Sequence, residues 1–217
     1  MSALLVPPKP RLRGRIHQVA FFVSIPAGVL LIVLAHGAVG KTAAIIYAVS
    51  LSAVFGASAS YHVGSWSKPA LRRMKRLDHS MIFMLIAGSY TPVALLVLHG
   101  AWSVVILSLI WTMAALGITL KLARIDGLSK LAASLYISMG WLVVLPFLQI
   151  YRGLSTAGLT LLIAGGALYT LGAVVFARRS PDPNPAVFGY HEVWHAFIVA
   201  AAACHWAMIL LVLRAAA

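Results

Sequence analysis

Acid is what this chain has least of. Only 4 of its 217 residues are Asp or Glu, against 17 Lys and Arg, for a net charge of +13. Charged residues of both signs make up 10% of the chain and hydrophobic ones 62%. A soluble domain carries about 25% charged residues to cover its surface, so a water-soluble globule is excluded. Cysteine is nearly missing too. Cys204 stands alone in an apolar run, so no intrachain disulfide can form and the residue reads as a small packing group. Alternation of apolar and polar residues is also lacking; the apolar runs are long and continuous, which argues against a β-barrel. What is left is a polytopic α-helical membrane protein.

Stretches of about 20 apolar residues are candidate spans. Seven occur, at 17–36, 43–64, 79–98, 101–121, 131–150, 156–176 and 190–212. Short connections join them, so the expectation is a basic tail over 1–16 followed by one seven-helix domain over 17–217. The first run resembles a signal peptide in its basic flank, but it is long for one and shows no clear cleavage site, so it is read as a retained span. The cations fall between runs. Lys9, Arg11, Arg13, Arg15, Lys68, Arg72, Arg73, Lys75, Arg76, Lys121, Arg124, Lys130, Arg178 and Arg179 lie on one side. Only Lys41, Arg152 and Arg214 lie on the other. The positive-inside rule then puts the amino terminus in the cytoplasm and the carboxyl terminus outside. With the cations placed this way and no base-stacking platform evident, nucleic-acid binding is not expected. The stretch S-W-S-K-P-A-L-R-R-M-K-R-L reads either as an amphipathic interfacial segment or as a loop that only sets topology. S-P-D-P-N-P signals a loop before the seventh span, and Pro92 a kink in the third.

Ionisable groups at membrane depth are costly and tend to be functional. Span two ends with Ser58 and His62, span three begins with Asp78, and span seven begins with H-E-V-W-H, residues 191–195. In the seven-span topology His62, Asp78, His191 and His195 lie at one cytoplasmic depth. His191 and His195 are one turn apart, about 6 Å along the axis, and can reach one metal. Ser58 lies one turn deeper than His62 on the same face. His62, His191 and His195 together make a three-histidine zinc site with an open fourth position, where bound water ionises near neutral pH. Asp78 would orient that water, orient a ligand or offset the metal's charge. His17, His36 and His99 read as interfacial, His79 as packing. His205, about 15 Å from His195, reads as a buried polar contact.

S-x-x-x-H ending span two, L-D-H-S-x-I-F…A-G-S-Y-T-P in span three and H-E-V-W-H…C-H in span seven resemble the hemolysin III family, within the progestin and adipoQ receptor superfamily. The likeness covers nearly the whole chain. It implies a seven-helix bundle with a cytoplasmic-side Zn2+ ligated by His62, His191 and His195. Asp78 would hold or activate the metal's water and Ser58 would line the site. Adiponectin receptors and alkaline ceramidases of this kind are associated with ceramide amide hydrolysis. Without the long amino-terminal domain of the animal receptors a hormone-receptor role is not expected, and a bacterial inner membrane is.

Three functions follow for a protein whose surroundings are the lipid bilayer. One is a zinc-dependent hydrolase of lipid amides or esters, with Asp78 as general base, Ser58 on the substrate carbonyl and the acyl chain among spans two to seven. Another is a non-enzymatic regulator of membrane-lipid or membrane-energy homeostasis, receptor- or channel-like, its zinc structural and Asp78 a possible fourth ligand. The third is an intramembrane zinc protease with Glu192 as base, the usual meaning of H-E-x-x-H. A haemolytic pore is weaker, since no polar stripe runs through a span.

Overall fold

The computed structural model describes residues 9–123 and 129–216, apart from the side chains of Ser129, Lys130 and Ala133. The first eight residues of the tail, the orientation cation Arg124 and the side chain of Lys130 lie outside what is described. The regular elements are helices: α1 Arg15–Leu34, α2 Gly37–Val63, α3 Lys68–Leu96, α4 Ala101–Ala123, α5 Ser129–Trp141, α6 Phe147–Gly153, α7 Thr156–Arg178 and α8 Tyr190–Ala215. Six of these are long and apolar enough to cross a membrane. α5 and α6, joined by a short 3-10 segment, supply a seventh if counted as one span.

That fifth span, expected over 131–150, is bent by 58° at a short break. The cause is Pro146, which has no N–H to give and whose ring displaces the preceding turn. A break at membrane depth must satisfy its freed backbone groups inside the protein. Tyr90 of α3 does this from outside the span. Its hydroxyl donates to the Gly140 carbonyl at 3.0 Å and accepts the Val143 amide at 2.8 Å. Pro26 and Pro92, by contrast, are carried within α1 and α3 without ending either helix.

α2 is the most enclosed of the long helices and α7 the least. The core runs along α2 through Tyr47, Leu51, Val54 and Phe55, and meets Leu31 of α1, Leu85 of α3 and Ile209 and Leu213 of α8. Small residues let the helices close up, as membrane packing requires. Gly88 of α3 lies directly against Ser50 of α2, and Gly117 of α4 against the ring of Phe83. The basic segment before span three is not a loop: from Lys68 it is the first turns of α3 itself.

Candidate metal centre

One end of the bundle gathers the beginning of α1, the end of α2 and the beginnings of α3 and α8. The chain reaches that end through a tight strap. Gly14 precedes α1 at φ +80, in the left-handed region, and a Cβ there would run into the Cβ of His62. Only glycine meets both demands at no cost. Behind it, the Arg11 and Leu12 amides donate to the Ala186 and Val187 carbonyls at 3.0 and 3.1 Å. The Lys9 ammonium caps the His62 carbonyl at the end of α2.

α8 begins on two carboxylates. Asp182 accepts the Tyr190 amide at 2.8 Å, and Glu192 accepts the Gly189 amide at 2.9 Å. A helix start leaves amides unpaired and favours negative charge, so both contacts stabilise this end. The other Glu192 oxygen pairs with Arg13 of the strap, and Glu192 is fully buried. The carboxylate of H-E-x-x-H is therefore occupied in holding α8 to the strap.

This framing sets His191 and His195 on the face of α8 toward His62. Their ring centroids lie 4.6 Å apart, and His62 is 4.8 Å from the ring of His191 and 5.2 Å from that of His195. One nitrogen from each of the three lies within 4.8 Å of the others. Tetrahedral coordination by imidazole needs nitrogens about 3.3 Å apart, a difference that side-chain rotation covers. His191 Nε2 and both His195 ring nitrogens are buried and have no hydrogen-bond partner. A buried polar atom left unpaired costs about 1–3 kcal/mol, and a metal ion is the group that three facing imidazoles would satisfy. The donor set fits a metal, zinc among them.

Asp78 is buried on α3, its Oδ2 3.9 Å from His62 Nε2. Ser58, buried one turn below His62, lies beside Asp78. The structure thus brings all five sequence-selected residues to one place. It also adds one that sequence reading set aside. His17 is not interfacial; only 3% of it is exposed. Its ring stacks on His195 with centroids 3.7 Å apart and planes 6° apart, and its Nδ1 lies 2.8 Å from Ser58 Oγ. The signal was available: His17 opens span one at the depth already assigned to the other histidines. His36 and His99 are exposed as expected. His205 is half-buried, 3.4 Å from the Leu162 carbonyl and edge-on to Tyr169.

Comparison with known proteins agrees with this architecture. The model of the haemolysin-III related family matches residues 6–206. Hemolysin-3 of Bacillus cereus is 35% identical over 191 residues, 86% of this chain and 84% of that one. The hemolysin-3 homolog of Bacillus subtilis is 30% identical over 197 residues, 89% of each chain. The human monocyte to macrophage differentiation factor is 32% identical over 176 residues, 76% of this chain and 68% of its own. The chain belongs to the haemolysin-III related family, within the progestin and adipoQ receptor superfamily.

Proposed function

We propose that this chain is a zinc-dependent hydrolase of lipid amides or esters, acting from the cytoplasmic side of a bacterial inner membrane. The observation that carries the reading is the cluster of three imidazoles, those of His62 and His195 buried and those of His191 and His195 with unpartnered nitrogens, flanked by a carboxylate and a hydroxyl. When bound, zinc supplies Lewis-acid polarisation of a carbonyl and makes water easier to deprotonate. The chain supplies the rest. Asp78 takes the proton from the attacking water and returns it to the leaving group, a role that contributes roughly 10²–10⁴-fold. Ser58 donates its proton to Asp78 and lies 2.8 Å from His17 Nδ1, so the hydroxyl fixes the general base beside the histidines. A shallow, open apolar groove of about 380 Å³ lies between α1, α2 and α3. Its walls include Ala57 and Leu77, the neighbours of Ser58 and Asp78 in sequence, and it suits an acyl chain.

The test is metal content and lipid-amide turnover of the purified protein beside Asp78→Ala. One zinc per chain, retained in the variant while turnover falls, is the expected outcome. Undiminished turnover in Asp78→Ala would remove the role given to that carboxylate. A second reading rests on the 3.9 Å between Asp78 and His62. A carboxylate that close can complete a closed, four-ligand structural site in a non-enzymatic regulator. In that case Asp78→Ala releases the metal as well, and no lipid is turned over by either protein.

A further inference from the structure

α3 carries a second polar face, next to the one that bears Asp78. Arg72, Lys75, Arg76 and His79 stand at i, i+3, i+4 and i+7, the spacing of a single helix stripe. One turn on, the same stripe continues as Phe83, which packs over Gly117 of α4. The next turn of α4 brings Lys121. The stripe is tied to α4 directly, because Arg76 Nη1 donates to the Leu122 carbonyl at 3.0 Å. Lys75, His79 and Lys121 lie near enough to feel one another's charge.

Among the described residues this seam has no acid to balance it. No carboxylate lies within ion-pairing distance of Lys75, Arg76 or Lys121 among the described residues. Lys121 is only 6% exposed. Arg76 Nε is buried with no hydrogen-bond partner. Like charges held together and removed from water destabilise a fold unless an anion joins them. Asp126, the one acid of the following connection, lies outside the described residues.

The depth of the seam says what kind of anion. From His79 to the end of α3 at Leu96 is about 26 Å of helix, close to the roughly 30 Å of hydrocarbon in a bilayer. Lys75, one turn beyond His79, therefore falls at the level of lipid phosphates. Beside the seam, Leu116 and Leu122 of α4 are 57% and 49% exposed, an apolar flank for acyl chains. We propose that Lys75, Arg76, His79 and Lys121, at the α3–α4 seam, form a binding site for the phosphate headgroup of an anionic phospholipid. The site is separate from the histidine cluster and stands whether or not the chain is a hydrolase.

The experiment is thermal unfolding of the purified full chain in detergent with added phosphatidylglycerol, phosphatidylcholine or inorganic phosphate. Phosphatidylglycerol is expected to raise the midpoint by about 5 °C over phosphatidylcholine, the shift of a ligand well above its Kd on a protein of this size. Lys121→Met is expected to remove most of that difference. Lys75→Gln, half-exposed and tolerant of change, carries the test if Lys121→Met does not fold. Inorganic phosphate at equal concentration is expected to do nothing, since it brings no acyl chain. Equal midpoints in the two lipids, or a full shift in both lysine variants, would overturn the site and leave lysines that merely reach to the interface. An equal shift from inorganic phosphate would overturn the lipid as the occupant. Non-additive losses in Lys121→Met and Asp126→Asn, with the lipid shift unchanged, would make Asp126 the missing counter-ion and overturn the proposal as well.

Discussion

Replacing His17 with alanine is expected to weaken metal binding about 30-fold, although His17 is not among the three ligand histidines. Two contacts are lost. The parallel stack on His195 at 3.7 Å is of a kind that contributes about 1 kcal/mol beyond burial. The hydrogen bond to Ser58 at 2.8 Å contributes about 1 kcal/mol net. If both are felt as freedom in the rings that must converge, the loss is about 2 kcal/mol, or about 30-fold at 1.36 kcal/mol per tenfold. That falls inside the 10–100-fold range seen when the partner of a metal ligand is removed. The assay is zinc competition against a chelator of known affinity, in detergent, with folding checked by circular dichroism. His17→Phe separates the two contacts: the stack is kept, the bond to Ser58 is not, and the loss should shrink to about 5-fold. If folded His17→Ala held zinc as tightly as the parent, the stack would be a packing accident and the argument for His17 would fail.

His62→Ala should abolish stoichiometric zinc in the purified protein, measured by elemental analysis; retention would mean that the ligand set is wrong. Glu192→Gln should keep zinc and any lipid turnover while lowering stability by about 1–3 kcal/mol, because the buried carboxylate serves Arg13 and the start of α8. A peptidase activity that dies in that variant would instead make Glu192 a base. Gly14→Ala should cost at least about 1–3 kcal/mol and reduce zinc occupancy together, since the left-handed φ and the contact with His62 are both strained; unfolding midpoint and metal content report the two effects. Tyr90→Phe should destabilise by about 1–3 kcal/mol through the Gly140 and Val143 backbone groups it leaves unpaired, and leave zinc untouched.

Much of the fold is legible in hydropathy, because a bilayer allows few alternatives to a helix of about 20 apolar residues. The long helices α1 to α4, α7 and α8 fall where the apolar runs are. The fifth is the exception, and the reason is local. Hydropathy does not register that Pro146 removes an amide, and nothing near it in sequence announces that Tyr90, fifty residues earlier, completes the bend. The histidine cluster follows from topology and spacing, since antiparallel helices with short links bring alternate ends to one depth. His17 was missed by treating a histidine at a helix start as interfacial, when its depth matched the others. The partners of Glu192 were beyond reach for a different reason. They are a strap guanidinium and a loop amide, whose positions depend on how residues 9–14 and 180–189 pack, and periodicity says nothing about that.

The scarcity of acid acquires a meaning in this arrangement. Three of the four carboxylates lie among the described residues, and all three are at the same end of the bundle. Asp182 and Glu192 hold the first amides of α8 and, through Arg13, the strap that closes over it. Asp78 stands at the histidines. A carboxylate elsewhere in these helices would cost several kcal/mol in lipid unless paired. At this end each one meets donors that offset the cost. Two of them fix the helix that presents His191 and His195, and the third is left without a fixed cationic partner. That is the condition a carboxylate needs if it is to take up a proton or answer the charge of a metal ion.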